Sequence, residues 1–199
     1  DLYATFVESE IVLTDATTAE MVKLMENTSR DINIAIANEF SRLADRFGVN
    51  VWEAIEIANR HPRVEILRPG PGVGGHCISV DPWFFVESAP DEAQLIHRAR
   101  LVNDGQPDFV VRMLEREVGD LSGKTFAALG VTYKPNVDDM RESPAVEVIH
   151  ALKARGAEVR AYDPFVDRAR GLEGMLVESL DDAVRDAEAI LLLVDHRQF

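Results

Sequence analysis

The sequence predicts an α/β protein in two parts, a mostly helical part over residues 1–118 and a parallel α/β unit over 119–199. Three observations predict it. Apolar residues recur at helical spacing without a break from Met21 to Phe47. A glycine- and proline-rich loop, Arg68-Pro-Gly-Pro-Gly-Val-Gly-Gly-His-Cys77, then interrupts the helical texture. From Lys124 onward, short apolar strands alternate with helical stretches.

The elements follow in order. Residues 18–47 read as one long helix, opened by a capping box, Thr17-x-x-Glu20, and stopped by Gly48. At about 100° per residue, Met21, Met25, Ile32, Ile36, Phe40, Leu43 and Phe47 share one side. Lys23, Asn27, Arg30, Asp31 and Asn38 form a narrow polar stripe on the other. A second helix is expected from Asn50 to Arg60, ended by Pro62. After the glycine loop, Asp81-Pro82 starts a short helical turn. Residues 91–118 are helical with a break near Gly105-Gln106-Pro107. So much amphipathic helix predicts a helical core and a dimer interface. In the second part, 125–131 reads as a buried strand and 144–155 as a helix with Pro144 at its first position. A strand at 157–162, a short helix at 180–187 and a strand at 189–194 complete a Rossmann-like unit.

Composition narrows the function classes. A net charge of −14 argues against nucleic acid or an anionic membrane as partner. Basic residues are lopsided, 17 Arg against 4 Lys, a pattern shared by salt-adapted proteins and GC-rich genomes. No apolar run approaches the roughly 18 residues that span a bilayer. A single cysteine leaves no intrachain disulfide and suggests a reducing, cytoplasmic setting. No metal site is expected. Asp1 is not a natural start, and the sequence stops directly after a strand, so chain is expected beyond both ends.

The chemistry gathers around Cys77. A free cysteine is most often a buried structural residue, but this one follows four glycines and two prolines that expose backbone. Such an address suits a nucleophile meeting a substrate held by main-chain N–H groups. Gly70, Gly72 and Gly75 match G-x-G-x-x-G only formally, because no strand precedes them and no βαβ unit surrounds them. Asp81, four residues after Cys77, can orient a water or cap the helix before Pro82. Lys23 and Asn27, at i and i+4, either face solvent or stabilise a developing oxyanion. Lys134 follows the first strand, whose turn lacks phosphate-binding glycines; it is either a surface lysine or part of a diphosphate site. A cysteine hydrolase would need a base near Cys77, and His76 is expected to point away from its sequence neighbour.

Together these pieces resemble the UDP-glucose/GDP-mannose dehydrogenase family of nucleotide-sugar 6-dehydrogenases. The resemblance rests on Glu20-Met-Val-Lys23-Leu-Met-Glu-Asn27, Asn38-Glu39, Gly72-Val-Gly-Gly-His-Cys77 with Asp81, Gly130-Val-Thr-Tyr-Lys134-Pro and Asp139-Met-Arg141-Glu-Ser-Pro144. His76 before the cysteine is most like the branch that acts on UDP-N-acetyl-D-mannosamine; UDP-N-acetylglucosamine and UDP-glucose are the alternatives, as is a non-catalytic UDP-sugar-binding or dimerising module. The resemblance implies oxidation of the sugar C6 alcohol to a carboxylate with two NAD+, through a thiohemiacetal and a thioester on Cys77. It implies proton-transfer or oxyanion duty for Lys23 and Asn27, and water activation for Asp81. It implies substrate contacts for Arg30, His61, Arg63, Gly72, Tyr133 and Lys134, with Arg63 reaching across a homodimer. Arg141 would reach the cofactor. The family's NAD-binding domain has no counterpart in residues 1–199, so this stretch by itself is expected to be inactive.

Overall fold

The computed structural model describes residues 2–199. Among these residues, seven α-helices and a three-stranded parallel sheet account for the regular structure, besides one 3-10 turn at Tyr3–Thr5. Helix α1 (Ala16–Phe47) is followed by α2 (Val51–Ala58), the glycine loop, α3 (Asp81–Ser88), α4 (Gln94–Asp104) and α5 (Gln106–Val118). Then come β1 (Thr125–Leu129), α6 (Pro144–Ala154), β2 (Glu158–Tyr162), α7 (Leu180–Val184) and β3 (Ala189–Leu192). The expected mixture of a helical part and a parallel α/β unit is therefore observed, with several boundaries corrected.

Helix α1 starts earlier than the capping box suggests. Asp15 is the N-cap: its carboxylate accepts from the Thr18 backbone N–H at 3.0 Å and from the Thr18 hydroxyl at 2.7 Å. Two hydrogen bonds to one carboxylate outcompete the Thr17–Glu20 arrangement, and Thr17 lies inside the helix. Gly48 ends α1 as expected. Helix α2 stops short of Arg60 because Asn59 turns to the returning chain, exchanging two hydrogen bonds with the Ile66 backbone at 2.8 and 2.9 Å. Asp81 sits at the first position of α3 rather than capping it; Val80 is the cap and Asp81 is engaged elsewhere. The break in 91–118 is a single residue, Gly105.

The greater departure is which face of α1 points inward. Asn27, Asp31 and Asn38 are buried, while Met21, Met25, Ile36, Phe40, Leu43 and Phe47 are exposed. Helix α1 packs on α3 and α4 through its polar stripe, so the apolar side is not the helical core. What fills the interface is a buried polar network. Arg100 on α4 pairs with Asp31 at 2.6 Å and also with Asp104. Asn103 donates to Asp31 Oδ1 at 2.8 Å, and Asn38 donates to Asn103 at 2.9 Å. Asn38 Oδ1 then accepts the Gly70 N–H at 2.9 Å, tying the first glycine of the loop to α1. Burial pushes the Asp31 carboxyl above its ordinary range, against the pull of Arg100 and Asn103. Its Oδ2 accepts no hydrogen bond from the described residues.

The sheet runs β2-β1-β3, with Thr125 opposite Glu158 and Phe126 opposite Ala189. β1 is buried on both faces, as a central parallel strand must be. Phe126 and Ala128 meet α6 residues such as Val148, Ile149 and Leu152, with Val111 of α5 in the same core. Ala127 and Leu129 meet Ala183 of α7 on the other face. The chain leaves β1 toward β2 on one side and returns to β3 on the other. The gap between the C-terminal ends of β1 and β3 is therefore a topological switch point, where open α/β sheets bind ligands.

Gly130 ends β1 at φ 85°, and a Cβ there would lie 2.5 Å from Val194 Cβ. Gly48 also has positive φ, 67°, but a Cβ added to it would meet nothing within 4 Å. Gly130→Ala is expected to cost about 3 kcal/mol from conformation plus overpacking, and Gly48→Ala only about 1 kcal/mol. Urea unfolding of both variants checks this; equal costs would contradict the packing at β1.

Candidate active site

Two structural units meet at the glycine loop. Its middle is pressed onto the α/β unit: the Gly75 N–H donates to the Arg141 carbonyl at 3.1 Å. A Cβ at Gly74 would meet the Glu142 carbonyl and sit 2.9 Å from Tyr133 Cβ; one at Gly75 would sit 3.0 Å from the Tyr133 ring. Gly72 lies against Pro144, the first residue of α6. The glycines are there for this close approach, not for a dinucleotide turn, since the loop joins two helices.

Cys77 is exposed in the turn before α3. Its carbonyl accepts from the Val80 N–H at 3.0 Å and the Asp81 N–H at 2.8 Å, so the turn fixes cysteine and aspartate relative to one another. Asn27 on α1 donates to Asp81 Oδ2 at 2.5 Å, and Lys23 Nζ donates to Asn27 Oδ1 at 3.3 Å. A chain of side chains, Lys23–Asn27–Asp81, thus runs from α1 to one turn from the thiol. An amide has two N–H donors, so Asn27 keeps one after serving Asp81. His76 does not point away as expected: its Nδ1 lies 3.6 Å from Cys77 Sγ, close enough for a neutral imidazole to take the thiol proton.

Arg141 stands on the far side of the loop, clamped by Asp139 through Nε at 3.0 and 3.1 Å and Nη2 at 2.6 Å. This clamp and the Arg141 N–H lower the Asp139 carboxyl to about 2 and raise Arg141, with smaller contributions to Arg141 from Tyr133 and Cys77. Lys134 Nζ lies 5.4 Å from the centre of the Tyr133 ring, the ring that backs Gly75. Lys23, Lys134 and Arg141 therefore surround the cysteine loop in an otherwise acidic protein.

Three expected substrate residues are not joined to this group. Arg30 is exposed on α1 without an ion-pair partner among the described residues. His61 and Arg63 lie in the exposed turn after α2, where His61 Nδ1 accepts the Arg63 N–H at 3.3 Å. Among the described residues, no hydrogen bond or ion pair links either to Cys77 or Asp81. Conversely, two groups went unread in the sequence: Arg100 with Asn103, and Asp163 with His196. The i, i+3 spacing of Arg100 and Asn103, matched to the polar stripe of α1, was the available signal for the first.

Two family models match the chain, the central domain of the UDP-glucose/GDP-mannose dehydrogenase family over residues 17–105 and the UDP binding domain of that family over 127–199. The chain belongs to the UDP-glucose/GDP-mannose dehydrogenase family. It is 55% identical to the UDP-N-acetyl-D-mannosamine dehydrogenase of Methanocaldococcus jannaschii, over all of this chain and 45% of that protein. It is 47% identical to an NDP-N-acetyl-D-galactosaminuronic acid dehydrogenase of Ralstonia solanacearum, over all of this chain and 47% of that one. Among solved structures, the UDP-D-ManNAc dehydrogenase of Pyrococcus horikoshii superposes with TM-score 0.87 at 47% identity, covering 99% of this chain and 46% of that one. The chain thus spans about half the length of the relatives it matches.

A dehydrogenase family implies a nicotinamide cofactor. The described residues include no strand–glycine turn–helix cradle for a dinucleotide: the β1 turn has Gly130 packed on Val194. The one feature that fits is Arg141, whose exposed guanidinium keeps Nη1 free of hydrogen bonds to the described residues and can meet an anionic group. No helix is long and apolar enough to cross a membrane among the described residues.

The Asp139 pair gives a pH test. A folded-state value of about 2, below the ordinary 3.8, means the clamp's contribution is complete above 3.8 and lost as pH falls through about 2. An NMR titration is expected to place the Asp139 midpoint near 2, returning toward 3.8 in Arg141→Ala. An ordinary midpoint with Arg141 in place would show that the clamp does not form in solution.

Proposed function

We propose that this chain carries the substrate-holding and nucleophilic residues of an NAD-dependent UDP-sugar 6-dehydrogenase, with UDP-N-acetyl-D-mannosamine as the sugar nucleotide. The observation that carries the proposal is the Lys23–Asn27–Asp81 chain ending one turn from the exposed Cys77. Residues 1–118 act as a dimerising part bearing the nucleophile and 119–199 as the part that binds UDP.

In this reading the diphosphate is met by Lys134 and by backbone exposed in the glycine loop near Gly72, with Tyr133 beside them. The C6 group then lies between Cys77 and the α1 stripe. Lys23 and the free Asn27 N–H donate to the C6 oxygen as charge develops there. The bound nicotinamide supplies the hydride-accepting chemistry, and Arg141 is the residue here that reaches it. Cys77 Sγ adds to the aldehyde carbon to give a thiohemiacetal; after the second oxidation the acyl group is held as a thioester. Asp81 orients the water that attacks this thioester, releasing the carboxylate and restoring the thiol.

The exposed side of α1 supports a homodimer. Met21, Met25, Ile36, Phe40, Leu43 and Phe47 form a stripe along one helix, and each such side chain is worth about 1.5–3 kcal/mol when buried. A two-fold pairing buries the same stripe from both copies. Arg30, His61 and Arg63, not joined to Cys77 or Asp81 among the described residues, are then available to contact substrate, with Arg63 serving the partner's site.

The protein bearing this sequence, supplied with NAD+ and UDP-N-acetyl-D-mannosamine, is expected to form NADH. Asn27→Ala should lower kcat by about 10²–10³-fold, and Cys77→Ser should abolish carboxylate formation. Undiminished carboxylate production by Cys77→Ser would refute the nucleophile. Faster turnover of UDP-N-acetyl-D-galactosamine, the amino sugar suggested by the Ralstonia relative, would move the substrate assignment.

A further inference from the structure

At the C-terminal edge of the sheet a buried pair joins the chain after β2 to the chain after β3, across the end of β1, and the chemistry above does not use it. The side chains of Asp163 and His196 are both fully buried, with His196 Nε2 at 2.9 Å from Asp163 Oδ2. Phe165 and Phe199 flank the imidazole, with ring centres 5.1 and 5.5 Å away.

The pair holds both ends of one short segment. His196 Nδ1 accepts the Asn136 N–H at 2.9 Å. Asp163 Oδ2 accepts the Val131 N–H at 2.7 Å, and its Oδ1 accepts the Phe165 N–H at 2.9 Å. Between those ends, Thr132 Oγ1 lies 3.2 Å from His196 Nε2 and donates to the Lys134 carbonyl at 3.0 Å. Asn136, at φ 61°, returns a further bond by accepting the Arg197 N–H at 3.1 Å.

The hydrogen-bond pattern also sets the state of the ring. A backbone N–H can only donate, so Nδ1 carries no proton; Nε2 therefore carries it and donates to Asp163. The contact is a neutral imidazole on a carboxylate, with every polar atom of the imidazole engaged.

We propose that Asp163 and His196 are a positioning pair for UDP-sugar binding: locked as the Nε2–H tautomer, His196 fixes the 131–136 segment so that Tyr133 and Lys134 present themselves to the diphosphate. This rests on the reading above that those two residues meet it. The pair touches no substrate; it acts through the backbone N–H groups of Val131 and Asn136, and on Lys134 through the Thr132 hydroxyl. Since the Tyr133 ring backs Gly75, the same segment also supports the cysteine loop.

The test uses the whole chain. Calorimetry with UDP is expected to show binding about tenfold weaker in His196→Ala, from the lost hold on Asn136 and Thr132. His196→Asn, whose side-chain oxygen can still accept the Asn136 N–H, should recover part of that loss. In the unmutated chain, long-range ¹H–¹⁵N spectra should show His196 protonated at Nε2 alone. A protonated Nδ1, or UDP affinity unchanged in a folded His196→Ala, would overturn the proposal. If His196→Ala does not fold, the tautomer and the His196→Asn affinity decide it. Absence of UDP binding by the unmutated chain would instead overturn the UDP reading itself, and with it the substrate side of this proposal.

Discussion

The buried contact between Asp31 and Arg100 is the constraint on which the site depends. Both groups are withdrawn from water on the inner face of α1, and Arg100 is shared with Asp104. Asn103 and Asn38 extend the pair until it reaches the Gly70 N–H. Removing one partner of a buried ion pair costs about 3–5 kcal/mol, a large share of the roughly 5–15 kcal/mol that keeps a domain folded. An arrangement that costly to disturb has one geometry, and the glycine loop begins from it. From there the loop is pinned a second time, by Arg141 and Tyr133 of the α/β unit, before it delivers Cys77 to the end of α1 where Lys23 and Asn27 stand.

An inward polar face leaves α1 with an outward apolar one. A helix in water does not keep Ile36, Phe40 and Phe47 on its surface without a reason, and a second copy of the chain is the partner proposed for them. The two faces thus divide the labour of one helix: hydrogen bonds and charge fix the loop, and apolar area is left for association. In the proposed two-fold pairing, the exposed turn carrying His61 and Arg63 is the part that would serve a neighbour.

Much of this was legible in sequence, for local reasons. Gly48, Pro144 and the Gly105 break act on their own backbone, so helix ends could be read from single residues. The parallel unit was legible because β1 is apolar on both faces. The misreading at Thr17 came from two adjacent caps competing, with Asp15 winning by accepting two bonds. The stripe of Lys23, Asn27, Asp31 and Asn38 was visible, but the burial of Asn27, Asp31 and Asn38 was not. A polar stripe looks the same facing water or facing Arg100 and Asn103, whose side chains arrive from more than sixty residues away. Asp163 and His196 were hidden for the same reason: each is an ordinary residue after a strand until the crossover brings the strand ends together.

Hydrogen–deuterium exchange of Asn38→Ala beside the unmutated chain tests the dependence of the loop on the buried network most directly. The substitution takes the acceptor from Gly70 and the donor from Asn103 while leaving the α/β unit untouched. Amides from Gly70 through Asp81 are expected to exchange about tenfold faster or more, with those of β1 unchanged. Unaltered protection in the loop would contradict the account, because Cys77 would then be held by something other than the network on α1.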